Sequence, residues 1–168
     1  QGGNEFFQVY RLDGGRLTLL SDGKSRNEIN RWSKDGRLLA YSSTRRNGTD
    51  ADLYVVDPRN PGSNRMVAQV QGGGWGIIDF APGNARAVVA NYKSVTNVDP
   101  YLLDLASGKL TPVGDHRKDI AYGGMQFAPD GRLWALADDG SDVQRLGLLD
   151  PATGRFTARA NAGRWDID

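Results

Sequence analysis

NRWSKDGRLLAYSSTRRNGTDADLYVVD, residues 30–57, decides the fold. It contains two short strand-like runs, RLLAYSS at 37–43 and LYVVD at 53–57, rich in β-branched, aromatic and apolar residues. A Ser-Lys-Asp-Gly turn at 33–36 leads into the first run, and Arg-Arg-Asn-Gly at 45–48 separates the two. Gly after Asp or Asn supplies the positive φ that tight hairpin turns need. The same order of features returns twice. FAPGNARAVVANY at 80–92 is followed by DPYLLD at 99–104, and FAPDGRLWALAD at 127–138 by LGLLD at 146–150. The leading aromatics Trp32, Phe80 and Phe127 are spaced 48 and 47 residues apart.

A second ladder runs in step. Asp13, Asp57, Asp104 and Asp150, spaced 44, 47 and 46 apart, each end an apolar run. Tyr10, Tyr54 and Tyr101 stand three residues before the Asp, and Gly147 takes that place in the last copy. A turn and another short strand follow each Asp: RLTLL, RMVAQV, KLTPV and RFTARA. Trp75 and Tyr122 each stand five residues before a strand aromatic, among glycines, and Trp165 opens a similar segment.

Each unit of about 47 residues therefore holds four short strands and three turns. A unit of that size cannot bury both faces of its sheet alone, so neighbours must stack on it. The reading is an all-β chain, a partial β-propeller of four-stranded antiparallel blades, about three and a half of them. Strands are lettered A to D from axis to rim. Residues 4–22 match only strands C and D of a half blade; 26–70, 75–113 and 122–160 make full blades; 164–168 match the start of a further strand A. This predicts either a piece of a larger propeller, or a ring closed by self-association through open blade edges, or a strained four-bladed ring. The aromatics Trp32, Trp75, Phe80, Phe127 and Trp134 are expected in the core, wedged between blades.

Composition narrows the function. Among 168 residues, 39% are hydrophobic and 24% charged, enough for one domain with a sizeable core. Glycine is abundant, 22 against 7 Pro, as many tight turns require. Lys plus Arg is 21 and Asp plus Glu is 20, and without a basic block this argues against nucleic-acid binding. No apolar run is long enough to cross a bilayer as a helix, so membrane insertion is not expected, and no leader peptide is visible. Zero cysteines exclude disulfides, thiolate metal sites and a Cys nucleophile, and the single His116 excludes a multi-His metal centre.

Residues 30–57, with the aromatic-Ser-x-Asp-Gly turn, the Leu-Ala-Tyr strand and the Asp-Leu-Tyr-Val-Val-Asp strand, resemble the TolB-like (PD40) propeller repeat; the two later copies are weaker matches. FFQVYRLD at 6–13 and the long loop NYKSVTNVDPYLLD at 91–104 look most like the N-terminal propeller of prolyl-oligopeptidase-type serine peptidases, the dipeptidyl and acylaminoacyl peptidases among them. That resemblance implies a non-catalytic, substrate-gating propeller. Its partners would be the hydrolase domain of the parent chain and short peptides, and its place the periplasm or the exterior, with the cytoplasm left open. The alternative is a TolB-like, non-enzymatic protein-binding propeller of the bacterial envelope.

The chemistry in the chain itself is sparse. No Gly-x-Ser-x-Gly nucleophile elbow occurs, and His116, in DHRKD, reads as an exposed loop residue rather than a base. GGGWG at 72–76 lacks the Lys and Ser/Thr of a phosphate loop. Asp138, Asp139 and Asp142 read as a B–C turn, since DDGSD lacks the later ligands of a calcium loop. No catalytic, cofactor or metal residue is expected. The candidates for peptide or interdomain contact are Arg45, Arg46 and Asp50 in one B–C loop, with Tyr92, Lys93 and Asn97 in the next; an Arg fork suits a carboxylate. A solvated loop with an internal Arg–Asp bond is the competing reading.

Overall fold

The computed structural model describes residues 5–160, 163 and 165–167; residues 4, 164 and 168 of the expected end segments lie outside these. Among the described residues there is no helix, and every sheet is antiparallel. β1 (Tyr10–Asp13) and β2 (Arg16–Leu19) form a two-stranded hairpin. Three four-stranded sheets follow in chain order. The first blade is β3 (Asn27–Trp32), β4 (Leu39–Ser43), β5 (Asp52–Asp57) and β6 (Asn60–Ala68). The second is β7 (Trp75–Phe80), β8 (Arg86–Ser94), β9 (Asn97–Asp104) and β10 (Leu110–Pro112). The third is β11 (Gly123–Phe127), β12 (Leu133–Ala137), β13 (Arg145–Leu149) and β14 (Phe156–Ala160). The innermost strand β7 contacts both β3 and β11, so the first strands gather at one axis.

The sheets stack face to face, and each inter-blade space is an apolar core. Because side chains alternate across a strand, one set points to the preceding blade and the next set to the following one. Val9 and Leu20 of the hairpin pack on Leu39, Tyr41, Tyr54 and Val56 of the first blade. Ala40, Leu53 and Val55, on the other face of that blade, meet Ile77, Phe80, Val89 and Leu103 of the second. Val88 and Ala90 then meet Phe127, Leu133, Ala135 and Leu149 of the third. Central strands are therefore buried on both faces, as β4 is throughout, and β5 accordingly carries the unbroken apolar run Leu53–Val56. Each fully buried Leu, Val or Phe contributes roughly 1.5–3 kcal/mol.

The ladder aspartates have a local cause. Each carboxylate accepts N–H groups of the turn that follows it: Asp57 from Arg59 (2.9 Å), Asp104 from Ser107 (2.8 Å) and Asp150 from Ala152 (2.8 Å). These are Asx-type turns that fix the C–D hairpins. The exception at Gly147 also has a cause. A Cβ there would lie 2.5 Å from Thr157 O and 2.6 Å from the Phe156 ring, which fills the space that a tyrosine takes in the other copies.

The core expectation for the aromatics holds for Phe80 and Phe127, which are buried, while Trp75 and Trp134 are half-buried. It fails for Trp32, which is 49% exposed. Trp32 occupies the same repeat position, facing the preceding blade. Among the described residues the hairpin β1–β2 supplies only third and fourth strands there, and Trp32 lies beyond their cover.

Candidate functional site

Two features share one end of the arc: an axial cavity, and the rim of B–C and D–A loops around it. Antiparallel connectivity puts these loops on the same side. The structure ties each B–C loop to a D–A loop next to its blade, the preceding one, the following one or both. Ala51 N–H donates to Gly72 O (2.9 Å), and Gly72 N–H to Asp50 Oδ1 (2.7 Å). Tyr92 N–H donates to Gly74 O (2.7 Å) and Val98 N–H to Ile120 O (3.0 Å). In the third blade Ala121 N–H donates to Asp138 Oδ1 (2.9 Å), and the Gln144 amide reaches Ala121 O (2.9 Å).

Ion pairs reinforce these ties. Arg46 donates through Nε to Asp52 Oδ2 (2.6 Å) and through Nη2 to Asp50 Oδ2 (2.7 Å) and Val70 O (3.1 Å). The Asp52 side chain is fully buried and also accepts Val70 N–H (2.9 Å). The Asp52 bond holds the Arg46 guanidinium above its ordinary range, and the Gly72 amide above all holds Asp50 below the usual carboxylate range. Lys93 pairs with the buried Asp99, a bond that raises the lysine's pKa. Arg45 lies over the Tyr54 ring at 4.1 Å, and Tyr54 stacks on Tyr41 at 5.5 Å. Tyr92 is half-exposed, and Asn97 donates to Asp119 of the next loop. Of the candidate contact residues, Arg46, Asp50 and Lys93 are thus held by partners inside the rim.

His116 is not the exposed loop residue expected from sequence. Its Nε2 lies 2.9 Å from Pro100 O and 3.0 Å from Val113 O, so this nitrogen carries the proton and donates to both. The ring stands edge-on to Tyr101, 4.9 Å between centroids, and Tyr101 contacts Trp75 at 5.2 Å. The ring is held against the second blade by its edge contact with Tyr101 and by the two carbonyls that engage Nε2. Among the described residues the His116 ring hydrogen-bonds only to main-chain carbonyls, not to a hydroxyl. The DDGSD loop is tied to its neighbours: besides the Asp138 bond, Lys118 Nζ reaches Asp139 at 3.2 Å. Among the described residues, no group of three or more His, Cys, Asp or Glu could hold a metal ion.

The axial cavity has a volume of about 540 Å³. It is lined by the first residues of the inner strands, among them Glu28, Arg31, Trp75 and Met125, and by Tyr92 of β8. Gly74 makes its wall possible: at φ +80° its Cβ would lie 2.3 Å from Tyr92 O. Lower on the axis, Asp79 is buried and joins three blades. Its Oδ2 accepts Phe127 N–H from the third blade (2.7 Å) and pairs with Lys34 Nζ from the first (3.0 Å). Lys34 also donates to Phe127 O. Sequence reading passed over Asp52, Asp79 and Asp99. The pairs Arg46–Asp52 and Lys93–Asp99 have the same internal spacing of six and stand 47 residues apart, a signal that was present.

No protein-family model matches the sequence, and no curated protein matches it. Solved structures do. A putative TolB from Agrobacterium tumefaciens superposes with TM-score 0.67 at 16% identity, over 95% of this chain and 57% of that one. TolB from Acinetobacter baumannii gives TM-score 0.61 at 14% identity, over 90% of this chain and 37% of that one. Puromycin hydrolase gives 0.63 at 17% identity, over 90% of this chain and 27% of that one. At these identities the likeness is one of fold: the chain is a β-propeller arc of the kind found in TolB and in part of puromycin hydrolase. It spans less than two thirds of each of those chains.

Proposed function

We propose that this chain is a non-catalytic docking propeller, the substrate-gating portion of a prolyl-oligopeptidase-like serine peptidase. One observation carries the reading. The axial cavity lies at the end where the B–C and D–A loops form a pinned rim, the natural seat for a second domain. A hydrolase domain seated on that rim would receive only peptides short and extended enough to pass the axis. The engagement of the His116 ring nitrogen with carbonyls agrees with catalysis residing elsewhere. The resemblance of the repeat to exported members of both groups suggests the periplasm or the exterior.

The likeness in fold extends to TolB as well as to puromycin hydrolase, which supports a second reading as a protein-binding scaffold. Sequencing the parent reading frame downstream of Asp168 separates the two. Further blades and then a Gly-x-Ser-x-Gly, with Asp and His following in that order, are expected. A frame that ends with the propeller overturns the peptidase reading and leaves the scaffold. Independently, the purified chain is expected to leave short fluorogenic peptides intact; turnover blocked by a serine-directed inhibitor would refute the non-catalytic role.

A further inference from the structure

Between the first and second blades lies a polar hollow that the hydrophobic core does not fill. Beyond the pair Asn27–Ser43 the β3–β4 ladder continues, with Thr44 N–H donating to Arg26 O (3.0 Å). Strand alternation then places Arg26 and Glu28 on one face, beside Thr44 and Ser42, the residues opposite them. Ala40, two residues before Ser42, packs toward the second blade from the same face. Across from it run Gly73 and Gly74, which lead into β7. These residues line a hollow of about 240 Å³. Glu28, Ser42 and Gly74 also line the axial cavity, so the two spaces adjoin.

Three polar groups around this hollow have no partner. Ser42 is 5% exposed, yet its hydroxyl makes no hydrogen bond among the described residues. Buried hydroxyls are normally hydrogen-bonded. The Arg26 guanidinium and the Glu28 carboxylate stand two residues apart on one strand face. Among the described residues, neither pairs with the other or with a third group. The loop above behaves differently, since Arg46 there is shared between Asp50 and Asp52. Two positions on one face of a strand lie roughly 6.5 Å apart. Both charged heads can therefore reach the two ends of one small molecule whose own opposite charges sit on a single carbon.

We infer that this hollow binds a free α-amino acid. The ligand's ammonium donates to the Glu28 carboxylate and the Ser42 hydroxyl oxygen, and its carboxylate accepts from the Arg26 fork. Such charge-assisted bonds are about twice as strong as neutral ones. The hollow is smaller than the roughly 300–1,000 Å³ that drug-sized ligands occupy, which suits a molecule of few atoms. The α-substituent has room on the side of the axial cavity. The site needs no second domain and is independent of the docking role.

Isothermal titration calorimetry of the chain with L-alanine tests this, and amide chemical shifts locate the ligand. Saturable one-to-one binding is expected, with shifts centred on Ser42, Gly73 and Gly74. N-acetyl-L-alanine lacks the ammonium and L-alanine methyl ester lacks the carboxylate; each is expected to bind roughly tenfold more weakly or worse. Trialanine holds its end charges too far apart for both heads and is expected to bind more weakly than L-alanine. Glu28→Gln and Arg26→Gln, at exposed positions, are expected to lose affinity by roughly tenfold as well. Ser42→Ala is expected to bind roughly threefold more weakly or worse with Tm unchanged or raised, because it removes a buried hydroxyl that has no internal bond. No saturation at millimolar L-alanine, blocked analogues that bind as tightly as L-alanine, charge variants that bind as the parent does, or a Ser42→Ala form that loses stability but not affinity would each overturn the inference. Trialanine binding as tightly as L-alanine would overturn it too, and would be the mark of a site for one peptide end.

Discussion

Asp79 is the most informative residue to remove. One carboxylate joins three consecutive blades near the axis: it accepts the Phe127 amide of the third at 2.7 Å and faces Lys34 of the first at 3.0 Å, from a strand of the second. Asp79→Ala leaves the Phe127 N–H buried without an acceptor, a loss of about 1–3 kcal/mol. It also removes the attraction to Lys34, whose side chain is 47% exposed, which adds only about 0–1 kcal/mol after solvent screening. The expected destabilisation is therefore about 1–4 kcal/mol, or roughly 2–16 °C in Tm for a chain of this size. Asp79→Asn keeps an oxygen for the Phe127 amide and loses only the charge, so about 1 kcal/mol or less is expected. Urea titration followed by tryptophan fluorescence gives the energies. Hydrogen exchange at the Phe127 amide gives the mechanism, with protection falling in the alanine variant and surviving in the asparagine one. A loss below about 0.5 kcal/mol in Asp79→Ala, or equal losses in the two variants, would refute the idea that this carboxylate acts as an amide acceptor binding the arc together.

Three further outcomes are expected. Gly74→Ala should destabilise by roughly 3 kcal/mol or more, because its Cβ meets the Tyr92 carbonyl, whereas Gly36→Ala, also at positive φ but in open space, should lose only about 1–2 kcal/mol; thermal melts compare them. Asp35 is held at about 2 chiefly by the Ser33 hydroxyl, and Asp115 at about 2 chiefly by Arg117. Both folded values lie below the ordinary 3.8, so their contribution is present above pH 4 and is lost as pH falls toward 2; Asp35→Asn with Asp115→Asn should flatten that part of a Tm-against-pH curve. Tyr92→Ala, on the rim and half-exposed, should leave Tm unchanged while reducing co-elution with a prolyl-oligopeptidase-type hydrolase domain, and undiminished co-elution would move the docking surface away from this loop.

The architecture was legible because a repeat states the same local rule several times. Asp57, Asp104 and Asp150 each cap their own turn, so the ladder of aspartates marks hairpins whatever the tertiary surroundings. Trp32 was not legible in the same way. Its burial depends on the blade in front of it, of which the described residues hold only β1 and β2. His116 illustrates the converse: a polar loop by composition, it is drawn under Tyr101 by partners that no local pattern announces. The rim pairs were half visible. Arg46–Asp52 and Lys93–Asp99 repeat with the period of the blades, but in the third copy the order inverts to Asp139 and Arg145, and the arginine there bonds the main-chain oxygen of Asp139 instead. Asp79 was invisible, since its two partners lie in other blades.

That division of the rim also sorts the residues that could recognise a partner. A guanidinium already shared among Asp50, Asp52 and Val70 O has little hydrogen-bonding capacity left for an incoming carboxylate, and drawing it away would strand a fully buried Asp52. The same holds for Lys93 over Asp99. Such residues stiffen the loops, which lowers the ordering entropy that docking would otherwise cost. On the proposed docking role, the side chains that the rim presents without consuming are Tyr92, half-exposed beside the cavity, and Val95, 79% exposed at the tip of the same hairpin. An aromatic and an apolar residue on a rigid turn suit a protein surface better than a free charged metabolite.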